Sequence, residues 1–319
     1  MVTVNRIRRG TSRRTWAFAL GLAVLLAVAG APAVSAAVTQ ASFASPEEAV
    51  TALVTAARDG KPAELVRILG PDGTRLVYSG DRVADRAGRE KFVAAYDEMH
   101  ELTPEGDAKS VLAVGKDEWP FPIPMVKQGV TWRFDTKAGA REILDRRIGR
   151  NELSAIEVCR AYVDAQREYA ANNLSGGAVA EYAQKFMSSP GKHDGLYWPV
   201  EAGQAESPMG PLAAQARAEG YGAKADGRNR SPYHGYYYRI LTKQGKDASG
   251  GAFDYVVNGH MIGGFALVAF PARYKDSGIM TFMINHDGIV FEKNLGPNTR
   301  TVARGMTAFE PDSTWSKVK

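Results

Sequence analysis

From residue 42 onward, apolar residues recur first at helical spacing and then at strand spacing. After residue 150 a long helical stripe again precedes a series of strands. The first helix is announced by Ser45-Pro46-Glu47-Glu48: a capping Ser, a Pro at the first helical position and a Glu three residues after the cap. Phe43 stands before the cap as a staple, and Val50, Leu53, Val54 and Ala57 follow at helical spacing. Further helices are predicted over Pro62–Leu69, ended by Gly70-Pro71-Asp72-Gly73, and near Ala87–Met99. Strands are predicted over Ser110–Val114 and Gly129–Asp135, where Val130, Trp132 and Phe134 alternate with Thr131, Arg133 and Asp135. The prolines of Trp119–Pro124 lack ladder donors, so that run is not a central strand.

In the second half a helix is predicted over Arg150–Asn172, with Leu153, Ile156, Cys159, Tyr162, Val163, Gln166, Tyr169 and Ala170 on one stripe. Asn172 to Gly177 stops it. A short helix at Val179–Met187 and a helical turn at Leu212–Glu219 follow. Then come strands at Gly235–Thr242, Phe253–Val257, Phe265–Pro271, Ile279–Asn285 and Ile289–Phe291. Turns at Asn258-Gly259 and Asp287-Gly288 make this an antiparallel meander. Phe265–Pro271 is apolar on both faces, which predicts a central strand covered by the long helix. The expected class is α+β, divided near Arg147–Asn151: an N-terminal domain over 42–147, a C-terminal domain over 148–300 and a tail over 301–319.

Residues 1–36 read as an export signal. Arg6, Arg8, Arg9, Arg13 and Arg14 precede the uncharged run Trp16–Ala31, and Val34-Ser35-Ala36 is a small-residue cleavage site. Ser12-Arg13-Arg14 also resembles a twin-arginine signal, so both export routes stay open. A periplasmic location follows, with no membrane partner after cleavage. The charge picture changes with the cut. The whole chain has 40 Lys+Arg and 35 Asp+Glu, but with five arginines and no acid in 1–36, the remainder carries 35 basic against 35 acidic residues. The basic balance belongs to the signal, and no nucleic-acid partner is expected. The single cysteine, Cys159, rules out an internal disulfide and reads as a buried apolar residue.

Candidate chemistry is sparse. Glycine-rich phosphate loops, GxSxG and HExxH motifs do not occur. His234, His260 and His286, with Asp287 beside the last, fall near strand ends or turns, where they read as a metal or acid–base rim or as solvent-facing turn residues. Tyr233, Tyr236, Tyr237 and Tyr238 are dense enough to stack a glycan or peptide, with Tyr236 and Tyr238 on one face, or simply pack a sheet. Trp132 and Phe134 could line a pocket for a small apolar ligand. Arg146, Arg147 and Arg150 either bind an anion or, as the leading expectation, pair with Glu142, Asp145 or Glu152 and fix the angle between the halves. No catalytic residue, metal or cofactor is assigned. The leading expectation is a non-catalytic binding or assembly module for an envelope protein, peptide or glycan. The alternative is a periplasmic hydrolase or metal-dependent enzyme using His234, His260 and His286.

Pro120–Pro124, Trp132–Thr136, Arg146–Leu153, Tyr233–Tyr237 and Asn285–Gly288 together resemble a bacterial exported family known only as domain of unknown function 2950. That resemblance spans nearly all of the chain beyond the signal and implies no activity. The order of elements over 42–147 resembles small cystatin-like or nuclear-transport-factor-2-like domains, implying helices on a curved sheet. Asn151–Ile156 with Ala165–Tyr169, then Gly235–Thr242, Phe265–Pro271 and Gly278–Gly288, is similar to type IV pilin-like and pseudopilin-like globular domains. Unlike a pilin helix, this one continues N-terminally into a soluble domain, with the apolar segment over a hundred residues away, so assembly into a fibre through that segment is not expected.

Overall fold

The computed structural model describes residues 39–201, 203–222 and 231–319, so the export signal lies outside the described residues. Helices and antiparallel sheets build it, as the α+β expectation requires. Helix α1 (Pro46–Arg58) starts as its cap dictates: the Ser45 hydroxyl accepts from the Glu48 amide at 3.2 Å. The Glu48 carboxylate reaches back one residue further than a standard capping box, to the Ala44 amide at 2.8 Å. Phe43 does not staple the helix alone, because its backbone exchanges two hydrogen bonds with Trp132. Helices α2 (Pro62–Leu69), α3 (Thr74–Val77) and α4 (Arg82–Glu98) follow. Helix α4 begins five residues before its predicted start because Asp81 caps it.

The first sheet has the order β1 (His100–Pro104), β2 (Lys109–Val114), β4 (Met125–Gln128), β5 (Thr131–Phe134), with β3 (Trp119–Pro120) paired to β2. Strand β1 is polar and mostly exposed at the sheet edge, so no alternation announces it. Val130 was expected to share the inner face with Trp132 and Phe134. It precedes β5 and is 87 % exposed, while Phe134 is buried. Ile123, Met125, Phe134 and Leu112 fill a core with α1 and α2.

Helix α5 (Thr136–Ala171) runs unbroken for 36 residues, through the division expected near 147–151. Its first half was missed because the stretch is rich in charge and glycine; burial of Gly139, Leu144 and Ile148 provides a stripe that only the neighbours reveal. At Gly139 the helix touches backbone: an added Cβ would lie 2.1 Å from the Pro122 oxygen. Arg146 pairs with Glu142 at 2.5 Å, as expected, and lies over Trp119. Arg147 instead donates to the carbonyls of Arg75 and Leu76 at 2.9 and 2.5 Å, tying α5 to α3. Asn151 donates to the Ser277 carbonyl, and the Glu152 carboxylate accepts from the Ile279 and Met280 amides. Leu153, expected on the buried stripe, is 65 % exposed, whereas Cys159, Tyr162, Val163, Gln166 and Tyr169 are buried.

No helix forms over 179–187. Buried Gln166 holds that segment by bonding both backbone groups of Ala183, and Tyr182 bridges to Met261. Such tertiary pairing overrides a short local propensity. Helix α6 (Gly210–Ala218) precedes β6 (Tyr236–Leu241). Two small ribbons, β7 (Lys243–Gln244) with β8 (Phe253–Asp254) and β9 (Val256–Val257) with β10 (His260–Met261), replace the single strand expected at 253–257. The Asn258-Gly259 turn has positive φ at both residues, as a type I′ turn needs. The second sheet has the order β14 (Ser316–Lys317), β13 (Phe291–Lys293), β12 (Thr281–Asn285), β11 (Ala266–Pro271), β6. Every residue of β11 is buried. Helix α5 packs against β11 and β12, and α7 (Thr299–Gly305) against β11. Burying each large apolar side chain contributes about 1.5–3 kcal/mol. Residues 301–319, set apart above as a tail, supply the end of α7, the buried Phe309 and Trp315, and β14. Among the described residues no helix is long and apolar enough to cross a membrane.

Candidate functional site

Before β6 the chain makes a turn at His234-Gly235, where φ is 46° and 75° and the Tyr233 and Tyr236 backbones exchange two hydrogen bonds. Histidine tolerates the left-handed region better than most residues, but it carries no hairpin signal as plain as Asn-Gly. Gly235 is needed for space as well as φ: a Cβ there would lie 2.5 Å from the Asn151 side-chain nitrogen. The turn presents the His234 ring, stacked on Tyr233 with centroids 4.2 Å apart, to the end of α6. There His234 Nε2 meets Glu219 Oε2 at 2.5 Å, with both side chains part-exposed. Burial acts to raise the Glu219 carboxyl, but hydrogen bonds from His234 and Gln215 outweigh it and hold it below the ordinary carboxylate range.

Beneath this pair lies Asp81, which is 1 % exposed. Its Oδ1 accepts from the Val83 and Ala84 amides, both at 3.1 Å; its Oδ2 accepts from the Tyr221 hydroxyl and the Gly235 amide, both at 2.9 Å. One carboxylate therefore joins the start of α4, the chain after α6 and the turn before β6. Its acceptor capacity is largely used, which fits a structural role. The His234 amide donates in turn to the Tyr221 hydroxyl at 3.3 Å. Burial, then the charges of Glu219 and Glu157, pushes the Tyr233 phenol up to about 12; burial and Asp81 push Tyr221 further. Both phenols are neutral hydrogen-bonding groups near pH 7. Asp85 lies close by, accepting from the Ser79 amide, and burial raises its carboxyl despite that bond and the Arg147 charge.

Tyr236 and Tyr238 share a face, as their spacing predicts. Tyr236 is buried and donates to the Met280 carbonyl at 2.9 Å. The Tyr238 hydroxyl is buried with no hydrogen-bond partner among the described residues. Burial, with Cys159, Tyr233, Tyr221 and Asp81 nearby, drives that phenol far above its ordinary value. Tyr237 faces the opposite way, against Phe270 and Arg300.

The other candidates lie apart. His260 is exposed and meets Glu181 at 3.1 Å. His286 lies between Tyr255 and Phe265, with Nε2 3.8 Å from Asp287 and a buried, unpartnered Nδ1; Gly264 leaves room for the ring, since a Cβ there would come within 2.6 Å of Nδ1. Each histidine thus has its own carboxylate, and among the described residues no three His, Cys, Asp or Glu side chains are grouped to hold a metal ion. His234, His260 and His286 therefore form no metal-holding group among the described residues. Trp132 is half-buried against the N-terminal core. Two surface hollows, of about 330 and 560 Å³, are lined by other residues than Trp132 and Phe134.

Sequence reasoning found His234 and its tyrosines but missed Asp81, Glu219 and Tyr221, which lie up to 154 residues away. Only the cap position of Asp81 before Arg82–Glu98 offered a local signal. Comparison with curated proteins and with solved structures finds no match. The family model described as protein of unknown function (DUF2950) matches residues 40–318, and with that coverage the chain belongs to this family.

Proposed function

We propose that this protein is an exported, non-catalytic binding module of the cell envelope that recognises a cell-wall glycan or its peptide stem at the His234 turn. The carrying observation is the part-exposed His234–Glu219 pair beside the stacked Tyr233 ring. A carboxylate and an imidazole offer acceptor and donor to hydroxyls and amides, and an aromatic ring offers a rigid stacking face. The Tyr233 phenol, held neutral, adds hydrogen bonding without acid–base chemistry at neutral pH. The saturated Asp81 network below pre-organises the turn, which lowers the ordering cost of binding. The arginine-led apolar segment and its cleavage site support export to the periplasm. A helix lying on an antiparallel sheet supports a pilin-like scaffold for the C-terminal half, and helices packed on the other five-stranded sheet support a cystatin-like one for the N-terminal half.

The test is titration of the purified protein with soluble muropeptides, read by intrinsic fluorescence and calorimetry. Saturable binding that His234→Ala and Tyr233→Ala each weaken about tenfold or more is expected, the loss of one good polar or stacking contact. Absence of binding, or binding indifferent to both substitutions, overturns the reading. Fractionation of cells expressing the full chain, and again without residues 1–36, tests the location.

A further inference from the structure

Away from the His234 turn, the larger hollow of about 560 Å³ lies between the first half of α5, the Pro71–Gly73 turn with α3, and the loop joining β11 to β12. Its floor is apolar. Leu144 and Ile148 stand one helical turn apart on α5, both largely buried, and Ile279 closes the floor from the loop. Its rim is cationic. Lys137 and Arg141 rise from α5 on the same face as Leu144, Arg75 comes from α3 and Lys275 from the loop; Asp72 and Asp145 are the acids.

Partnering decides how much of that charge is available. Arg75 is neutralised by Asp276 at 2.5 Å, and Arg141 is near Asp145 at 3.5 Å. For Lys137 and Lys275, no carboxylate lies within ion-pair distance among the described residues. Lys275 is also placed deliberately. It adopts a left-handed φ of 64°, rare for a side-chain-bearing residue, held by its amide on the Gly278 carbonyl and by Arg75 donating to its own carbonyl, both at 2.8 Å. The groove thus joins the Lys137 and Lys275 ammonium groups, the latter 5.7 Å from the Tyr274 ring centroid, to a partly apolar floor of ligand size. Asp72 is the rim acid that no ion pair engages among the described residues, and basic groups still outnumber acids around the groove.

We infer that this groove is a second binding site, for a single-chain anionic lipid, with the acidic head between Lys137 and Lys275 and the hydrocarbon along Leu144, Ile148 and Ile279. Charge complementarity chooses the anion and the aliphatic floor chooses the chain. The site shares no residue with the His234 turn, so either can fail without the other.

Monomeric lysophosphatidylglycerol, kept below its micellar concentration, is titrated into the purified full chain and followed by calorimetry and native mass spectrometry. One-to-one binding that weakens with added salt is expected. The double variant Lys137→Glu/Lys275→Glu should bind about tenfold or more weakly, as loss of charge-assisted contacts requires. Lys243→Glu, an exposed lysine on β7, should leave binding unchanged. Ile279→Asn should weaken the lipid without creating binding of inorganic phosphate. Equal binding of an uncharged monoacylglycerol, or unchanged affinity in the double variant, overturns the inference. Binding of phosphate as tight as lipid assigns a head-only anion site and overturns the lipid assignment. Binding seen only with phosphatidylglycerol vesicles assigns a membrane-surface patch and also overturns it. Far-ultraviolet circular dichroism on each variant separates lost binding from lost folding.

Discussion

Replacing Asp81 by Ala removes one carboxylate from four donors at once. Two of them, the Val83 and Ala84 amides, are the first turn of α4, and losing such a cap costs about 1 kcal/mol. The other two, the Tyr221 hydroxyl and the Gly235 amide, are left in a site where the carboxylate itself was 1 % exposed, and each orphaned buried donor costs about 1–3 kcal/mol. Relief of the buried charge offsets part of this, so the net loss is about 3 kcal/mol. Urea unfolding followed by circular dichroism and fluorescence measures it, with an unchanged m-value required for the comparison. Asp81→Asn is the sharper probe. Its amide oxygen can still cap α4, but its NH₂ then faces a second donor at Gly235, so most of the loss should persist. Tyr221→Phe alone should cost about 1 kcal/mol, and combined with Asp81→Ala less than the sum, because the two share a bond. An Asp81→Ala protein within about 0.5 kcal/mol of the parent, the range of ordinary surface changes, would refute the account of Asp81 as the junction's anchor.

Three further outcomes are expected. Gly139→Ala should destabilise by about 1–3 kcal/mol or more, since its Cβ would sit 2.1 Å from the Pro122 oxygen and 2.3 Å from its carbon; an unchanged melting temperature contradicts that contact. Cys159, whose thiol burial pushes up to about 12, should resist thiol reagents in the native protein at pH 8 and react on unfolding; native labelling at the rate of a free thiol would contradict its burial. Because Glu219 is held below its ordinary value of 4.5, it contributes stability that is present above that value and lost as pH falls through its folded pKa. The gap in urea midpoint between parent and Glu219→Gln should therefore be present at pH 6 and shrink below about pH 4.5; a gap constant from pH 6 to pH 3 would show the pair does not act through ionisation.

Local signals carried the elements whose causes are local. The Ser45 cap, the Asn258-Gly259 turn and the doubly apolar run through β11 each depend on neighbours in the chain, and each forms where its residues say. The misses share a different cause. Helix α5 extends to Thr136 because Gly139 fits against the Pro122 backbone, and 179–187 is not helical because Gln166 claims the Ala183 backbone. Strand β1 forms because β2 offers a ladder, not because its own residues alternate. Of the candidate site, the sequence identified His234 and the tyrosines as reactive or stacking types, but not which partners they meet.

By itself the sequence determined the α+β class, the central buried strand, the family and the absence of familiar catalytic motifs, since these depend on periodicity, turn chemistry and motif spacing within short windows. The tertiary structure alone decided that Glu219 meets His234, that Asp81 binds the turn from 154 residues away, that the three histidines stay apart, and that Lys137 and Lys275 face one groove. Such pairings are set by how helix α5 crosses both cores. A side chain's partner across that distance depends on packing geometry, which no local pattern of hydrophobic and polar residues encodes.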